Sequence, residues 1–181
     1  MPKSYWMVVQ SPDNVAIARQ RGFDMVGLRA QHRRKVQRME PGDRVLIYAS
    51  VKRCFVATAT VTTPLKEDHT PVWKAEGGSN LPFRVGIKAD VVLDEGQYIN
   101  AHQIAPRMDY TRRWTPELWY MAFQDNLHLI SRLDFTLIEE EMRKLKRGLG
   151  AAARIQPDHR PRAPSHCKLE QMAAESPKGH T

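Results

Sequence analysis

Apolar and polar positions along this chain switch between two periods, and the switches mark its elements. The unbroken run Tyr5-Trp6-Met7-Val8-Val9 is β-prone and reads as a buried strand. Ser11-Pro12-Asp13-Asn14 then offers helix-start chemistry, for a helix running to about Gln20 and stopped at Gly22. A second strand is predicted over 24–28. Val36 and Met39 lie three apart in an otherwise polar, basic stretch, which predicts a helix over 31–39. Pro41-Gly42-Asp43 is a turn, and Arg44-Val45-Leu46-Ile47-Tyr48-Ala49 is the strand that leaves it. From Phe55 to Thr63 the chain alternates with the two-residue period of a half-buried strand. A loop over 65–81 carries Trp73 and Gly77-Gly78 and has no periodic pattern of its own, as functional loops often lack one.

The second half continues with a long strand over 83–93 and a turn or short helix over 98–104. Thr115 and Pro116 introduce a short helix over 116–123, at cap and first position. Leu127 to Ile130 is a last strand. Asp134 is expected to cap a closing helix to about Lys146, with Phe135, Ile138, Met142 and Leu145 on one stripe. Five or six strands with short helices between them, several joined too tightly for crossovers, predict an α+β fold built on a small mixed barrel. Beyond Arg147 the composition turns to Ala, Pro, Ser, His and Lys, with Pro157, Pro161, Pro164 and Pro177 against any helix. The expected organisation is a folded domain over 1–147 and a flexible tail over 148–181.

The 181 residues and 41% hydrophobic content suit one globular domain. Net charge is +8, which favours polyanionic partners, and most of the excess precedes Gly148. Cys54 and Cys167 are the only cysteines, so a disulfide framework is not expected. No run of about 18 apolar residues occurs, and no membrane association is expected. The cytoplasm is the default location. Seven histidines are scattered without helical zinc spacing and no Cys-x-x-Cys exists, so neither a metal nor a cofactor is expected. Glu76-Gly77-Gly78-Ser79 opens no helix and precedes no Gly-Lys-Ser/Thr, so it is not a phosphate loop. Asp68-His69 is the one pair that could do acid–base work, although adjacent loop residues are ordinarily just solvated. Glu139-Glu140-Glu141 reads as a wet helix face.

The segment from Arg29 to Arg38 holds five basic residues and no acid. Arg33, Arg34, Lys35 and Arg38 would form a phosphate rail, because flexible cations reach backbone oxygens in several registers. Around it stand Tyr5-Trp6, then Ser11, then Val26-Gly27-Leu28-Arg29, then Pro41-Gly42-Asp43 before Val45-Leu46-Ile47-Tyr48. Later come Trp73 with Gly77-Gly78, Pro82-Phe83-Arg84-Val85, and Phe135 with Ile138 and Met142. In this order and spacing the chain resembles the EVE-domain family over about residues 4–146. The resemblance implies a PUA-like barrel, related to the YTH and SRA readers of modified bases. It also implies a base pocket of Trp73, Ser11, Gly27, Leu28, Arg29 and Tyr48, where Gly27 would let backbone reach a base edge. Many relatives place a tryptophan just before that glycine, whereas this chain has Met25 and Val26. Trp6, Trp114, Trp119 and Phe123 are candidates for a second stacking surface, with core packing the expectation for Trp6 and Phe123. The function this reading implies is a non-catalytic module that holds a flipped, modified base of DNA or RNA. The alternatives are a nucleic-acid hydrolase using Asp68-His69, and an RNA-binding module of the same fold in RNA modification or processing.

Overall fold

The computed structural model describes residues 4–75 and 80–154. Eight strands form one curled sheet: β1 (Tyr5–Gln10), β2 (Met25–Leu28), β3 (Arg44–Ala49), β4 (Cys54–Val61), β5 (Lys66–Glu67), β6 (Phe83–Val92), β7 (Ile99–Asn100) and β8 (Leu127–Ile130). Their order is β2-β6-β4-β3-β1-β8, with β5 on β6 and β7 on β4. Only β1 and β3 run parallel; the other pairs are antiparallel. The α+β barrel-like sheet expected from the strand pattern is present. The two strands beyond the predicted six, β5 and β7, are two residues each, too short to carry a period. Irregularities between Ile47 and Tyr48 and between Thr58 and Ala59 help the sheet to curl.

Four α-helices decorate the sheet: α1 (Pro12–Gln20), α2 (Arg33–Val36), α3 (Ala101–Ile104) and α4 (Arg132–Arg154). The basic helix is shorter than the sequence pattern predicts, one turn of 3-10 helix over Ala30–His32 followed by α2. The segment Pro116–Phe123 is also 3-10 helix. The closing helix passes the expected stop at Lys146 and reaches Arg154. Ala151-Ala152-Ala153 favours helix, and the first proline comes only at Pro157. The expected tail therefore lies outside the described residues beyond Arg154, as does Gly77-Gly78.

Two cores fill the molecule, one on each face of the sheet. Trp6, Val8, Val26, Leu28, Val45, Ile47, Val56 and Trp73 belong to the first. Met7, Val9, Leu46, Tyr48, Phe55, Trp119, Phe123 and Phe135 belong to the second. β4 is thus buried on both faces, not half-buried, because β3 and β6 flank it and each face of the sheet is covered. Its Thr58 hydroxyl donates to Glu139 Oε1 at 3.0 Å. Glu139 also pairs with Arg44 and Arg143, so this end of the acidic run faces the sheet and is not a wet face. The turn before β3 depends on Gly42, at φ +94°, where a side chain would be strained. Behind that turn Asp43 accepts from the backbone of Ser4 and Glu40 and from the Trp6 indole N–H.

Candidate functional site

Ser11 caps α1, its Oγ accepting the Asn14 N–H at 3.3 Å. The buried Asn14 side chain then clamps the long loop. Its Nδ2 donates to the Lys74 carbonyl at 2.9 Å, and its Oδ1 accepts the Lys74 N–H at 2.8 Å. This two-bond clamp fixes the backbone next to Trp73, and Lys74 adds an ion pair to Asp13. The ends of β1 and β2 are tied by Asn126. Its backbone carbonyl and side chain bond Val9 in both directions, and its Oδ1 accepts the Arg29 N–H at 3.0 Å. Ser11, Gly27, Arg29 and Trp73 therefore converge on one end of the barrel.

Trp73 does not stand in solvent as a polar loop would suggest. It is 6% exposed and joins the first core. A Cβ built on Gly27 would lie 2.5 Å from Trp73 Cδ1 and Nε1. The glycine therefore makes room for the indole edge, rather than for a base edge as the sequence reading had it. Leu28 is likewise wholly buried as core. Tyr48 lies level with Val9 but on the opposite face of the sheet from Trp73. Neighbouring strand residues face opposite sides of a sheet, and Tyr48 packs with Phe55 and Phe123 in the second core. Burial there pushes its phenol well above the usual range. Tyr48 is removed from the candidate pocket on this ground.

The polar group that sequence reasoning missed is Gln10. It is 0% exposed, yet neither its amide oxygen nor its amide nitrogen has a partner among the described residues. By the two-residue period it shares a face with Trp6 and Val8, which is the face of the first core. A polar side chain at an inward position of an otherwise apolar strand was the legible signal. Trp73 carries the same mark. The Trp6 indole N–H donates to Asp43 at 3.0 Å and that of Trp119 to His102 at 3.1 Å, whereas that of Trp73 is buried without an acceptor among the described residues. The Arg29 Nε is buried and unpartnered as well. Unpaired buried polar groups cost about 1–3 kcal/mol each, so three at one end of a barrel call for a reason.

Beside this end runs the basic segment. Arg33, Arg34, Lys35 and Arg38 are all exposed, and none forms an ion pair among the described residues. Lys35 Nζ donates to the Leu127 carbonyl at 3.3 Å, which seats α2 against β8. His32 is buried beneath the cations, its Nε2 at 2.7 Å from Asp125 Oδ1. Burial opposes the charge on Asp125, but the Asn126 N–H and His32 outweigh it and hold the carboxyl below its usual range. His128 follows, its imidazole pushed down by burial and hydrogen-bonded to the Asp125 carbonyl and the Tyr110 hydroxyl. Asp68 and His69 do not pair with each other. Thr70, by hydroxyl and N–H, holds Asp68 below the usual carboxylate range, with Arg84 and Lys66 adding to it, while His69 turns to Glu67 at 3.2 Å. Among the described residues no group of His, Cys, Asp and Glu could hold a metal ion. No described helix is long and apolar enough to cross a membrane.

Comparison with known proteins bears on this arrangement. A family model for the EVE domain matches residues 4–142. A search of curated proteins finds no match. Among solved structures, a hypothetical protein from Leishmania major is similar at 17% identity and TM-score 0.54, covering 79% of this chain and 96% of that one. The YTH domain of mmi1, solved with RNA, is similar at 10% identity and TM-score 0.59, covering 81% and 86%. The YTH domain of the Zygosaccharomyces rouxii MRB1 protein, solved with N6-methyladenosine RNA, is similar at 12% identity and TM-score 0.55, covering 78% and 89%. At such identities the likeness is one of fold.

Proposed function

The chain belongs to the EVE-domain family, and from that premise we propose that it is a nucleic-acid-binding module which holds one base at the barrel end marked by Gln10, Gly27 and Trp73. The observation that carries this reading is the fully buried, unpartnered amide of Gln10. A carboxamide offers one donor and one acceptor side by side, the pattern that pairs with the edge of a nucleobase. The unpartnered N–H of Trp73 and Nε of Arg29 at the same end add donors. The base displaces the indole from Gly27, stacks against it, and satisfies the amide. Arg33, Arg34, Lys35 and Arg38 hold the phosphates on either side. The YTH structures of similar fold, one of them holding N6-methyladenosine RNA, support a modified base as the ligand.

Energetics select the form of the strand. Drawing a paired base from a duplex costs a few kcal/mol. Stacking on one aromatic returns about 1–3 kcal/mol, and the indole must first leave its own packing. Unpaired bases avoid the first cost, so single-stranded or locally opened nucleic acid is the substrate this site favours. No reaction is assigned, since Asp68 and His69 face different partners.

Fluorescence anisotropy with matched oligonucleotides, unmodified and methylated, RNA and DNA, tests the reading. Gln10→Met keeps the shape of the side chain and removes both hydrogen-bonding atoms. It should weaken binding of the preferred base about five- to 150-fold, as the loss of one good base-edge pair does. Equal binding by the Met variant to every oligonucleotide would end the case for this pocket.

A further inference from the structure

We propose that the cavity at the start of α4 is a second nucleotide subsite, which takes a neighbouring residue of the same strand. It rests on the reading that the barrel end binds a base of a single strand. The cavity measures about 470 Å³ and is lined by Tyr110, Arg113, Trp114 and Met121, with Ser131 and Asp134 from the α4 end.

Its chemistry suits a nucleotide. Trp114 is 40% exposed, an indole ring left open beside the cavity instead of packed into either core. Every base has a flat face that can stack on such a ring. The acids lining the cavity are already answered. Asp109 pairs with Arg112 at 3.0 Å, and the Asp134 carboxylate accepts the N–H groups of Asp109 and Tyr110 at 2.8 and 3.0 Å. Arg113 is exposed and has no ion pair among the described residues, which leaves its guanidinium open to a phosphate. The first turn of α4, a helix of 23 residues capped by the Ser131 hydroxyl, adds its positive end. An aromatic face beside an unpaired arginine fits a base with its phosphate better than it fits a purely apolar guest.

Its position suits the same strand. The cations of α2 and the cavity are joined by a short chain of direct contacts. Lys35 touches the Leu127 carbonyl, His32 touches Asp125, and His128 links the Asp125 carbonyl to the Tyr110 hydroxyl, which lines the cavity. A strand whose phosphates follow Arg33, Arg34 and Lys35 thus reaches Trp114 by crossing β8.

The test uses the full chain and two probes: a fluorescein-labelled mixed-sequence oligoribonucleotide of eight residues, and a free nucleoside monophosphate mixture. Trp114→Ala and Arg113→Ala are surface changes, and melting curves confirm that both fold. The octamer should bind Trp114→Ala about five- to 150-fold more weakly than wild type, and Trp114→Phe should recover most of that loss. Monophosphates competing at the barrel end should be unaffected by Trp114→Ala. Octamer binding that survives both Trp114→Ala and Arg113→Ala overturns the subsite and leaves the barrel-end pocket standing. Octamer binding lost with Trp114 but indifferent to Gln10→Met keeps the subsite for strand binding and overturns the pocket. A wild type that binds no octamer overturns both.

Discussion

The sheet carries a core on each face, and the two are finished differently. On the Tyr48 side, Tyr48, Phe55, Tyr110, Trp119 and Phe123 form one aromatic cluster with ring centroids 5.0–6.2 Å apart. Its polar atoms are answered: Trp119 by His102, Tyr110 by His128. On the Trp73 side an equally buried indole has no acceptor, and a wholly buried amide has neither donor nor acceptor. Both sides bury rings, so burial alone does not separate structure from function. What separates them is whether each polar group has been satisfied. The second core is complete as folded, and the first needs something the described residues do not supply.

The sharpest way to break this comparison is to truncate one ring on each side. Phe123→Ala should cost about 3–5 kcal/mol of stability, as core truncations of this size do, and should change binding only through the loss of folded protein. Trp73→Ala should cost about 3 kcal/mol of stability too, since its indole is core, but also weaken binding in the fraction that remains folded. Thermal melts and anisotropy on the same preparations decide it. If the two variants differ only in melting temperature, the Trp73 side is ordinary core.

A second measurement sharpens the role of the surface beside the Trp73 side. Binding should weaken with salt, and replacing Arg33, Arg34, Lys35 and Arg38 together by alanine should flatten the slope by about three, at roughly 0.7 per phosphate contact on a single strand. An unaltered slope would take the rail away from α2. The smallest effect is the most diagnostic. If the Gln10 amide is an uncompensated burial, Gln10→Met should raise stability by about 1 kcal/mol, since replacing an unpaired polar group by an apolar one of similar shape removes its desolvation cost. A gain in melting temperature coupled to a loss of binding is the signature of a site kept at the expense of stability. A fall in melting temperature would mean that the amide is satisfied after all.

Much of the frame was legible because it rests on local rules. The Ser11 cap, the stop at Gly22, the turn at Pro41-Gly42-Asp43 and the strands β1, β3, β6 and β8 follow from propensity and period. The rail was legible for the same reason, being contiguous in sequence. Other readings failed wherever a long-range contact overruled a local one. Asp134 looked like the cap of α4, but Ser131 caps it, and the Asp134 carboxylate reaches back to Asp109 and Tyr110. Glu139 looked wet until Arg44 and Thr58 claimed it.

The sequence by itself determined the elements, their order, the family and the sign of the surface charge, because each of these depends on residues close together in the chain or on their sum. Only the tertiary structure decided which face each ring occupies. Tyr48 and Trp73 are both aromatic and both sat plausibly in one pocket; the alternation along β3 and the Asn14 clamp on the loop put them in different cores. The pattern can mark Gln10 as an inward polar position, but only the structure shows that its amide is unanswered among the described residues. A glutamine in a sequence is an ordinary polar residue, and whether its amide is answered depends on strands, loops and helices brought together from across the chain.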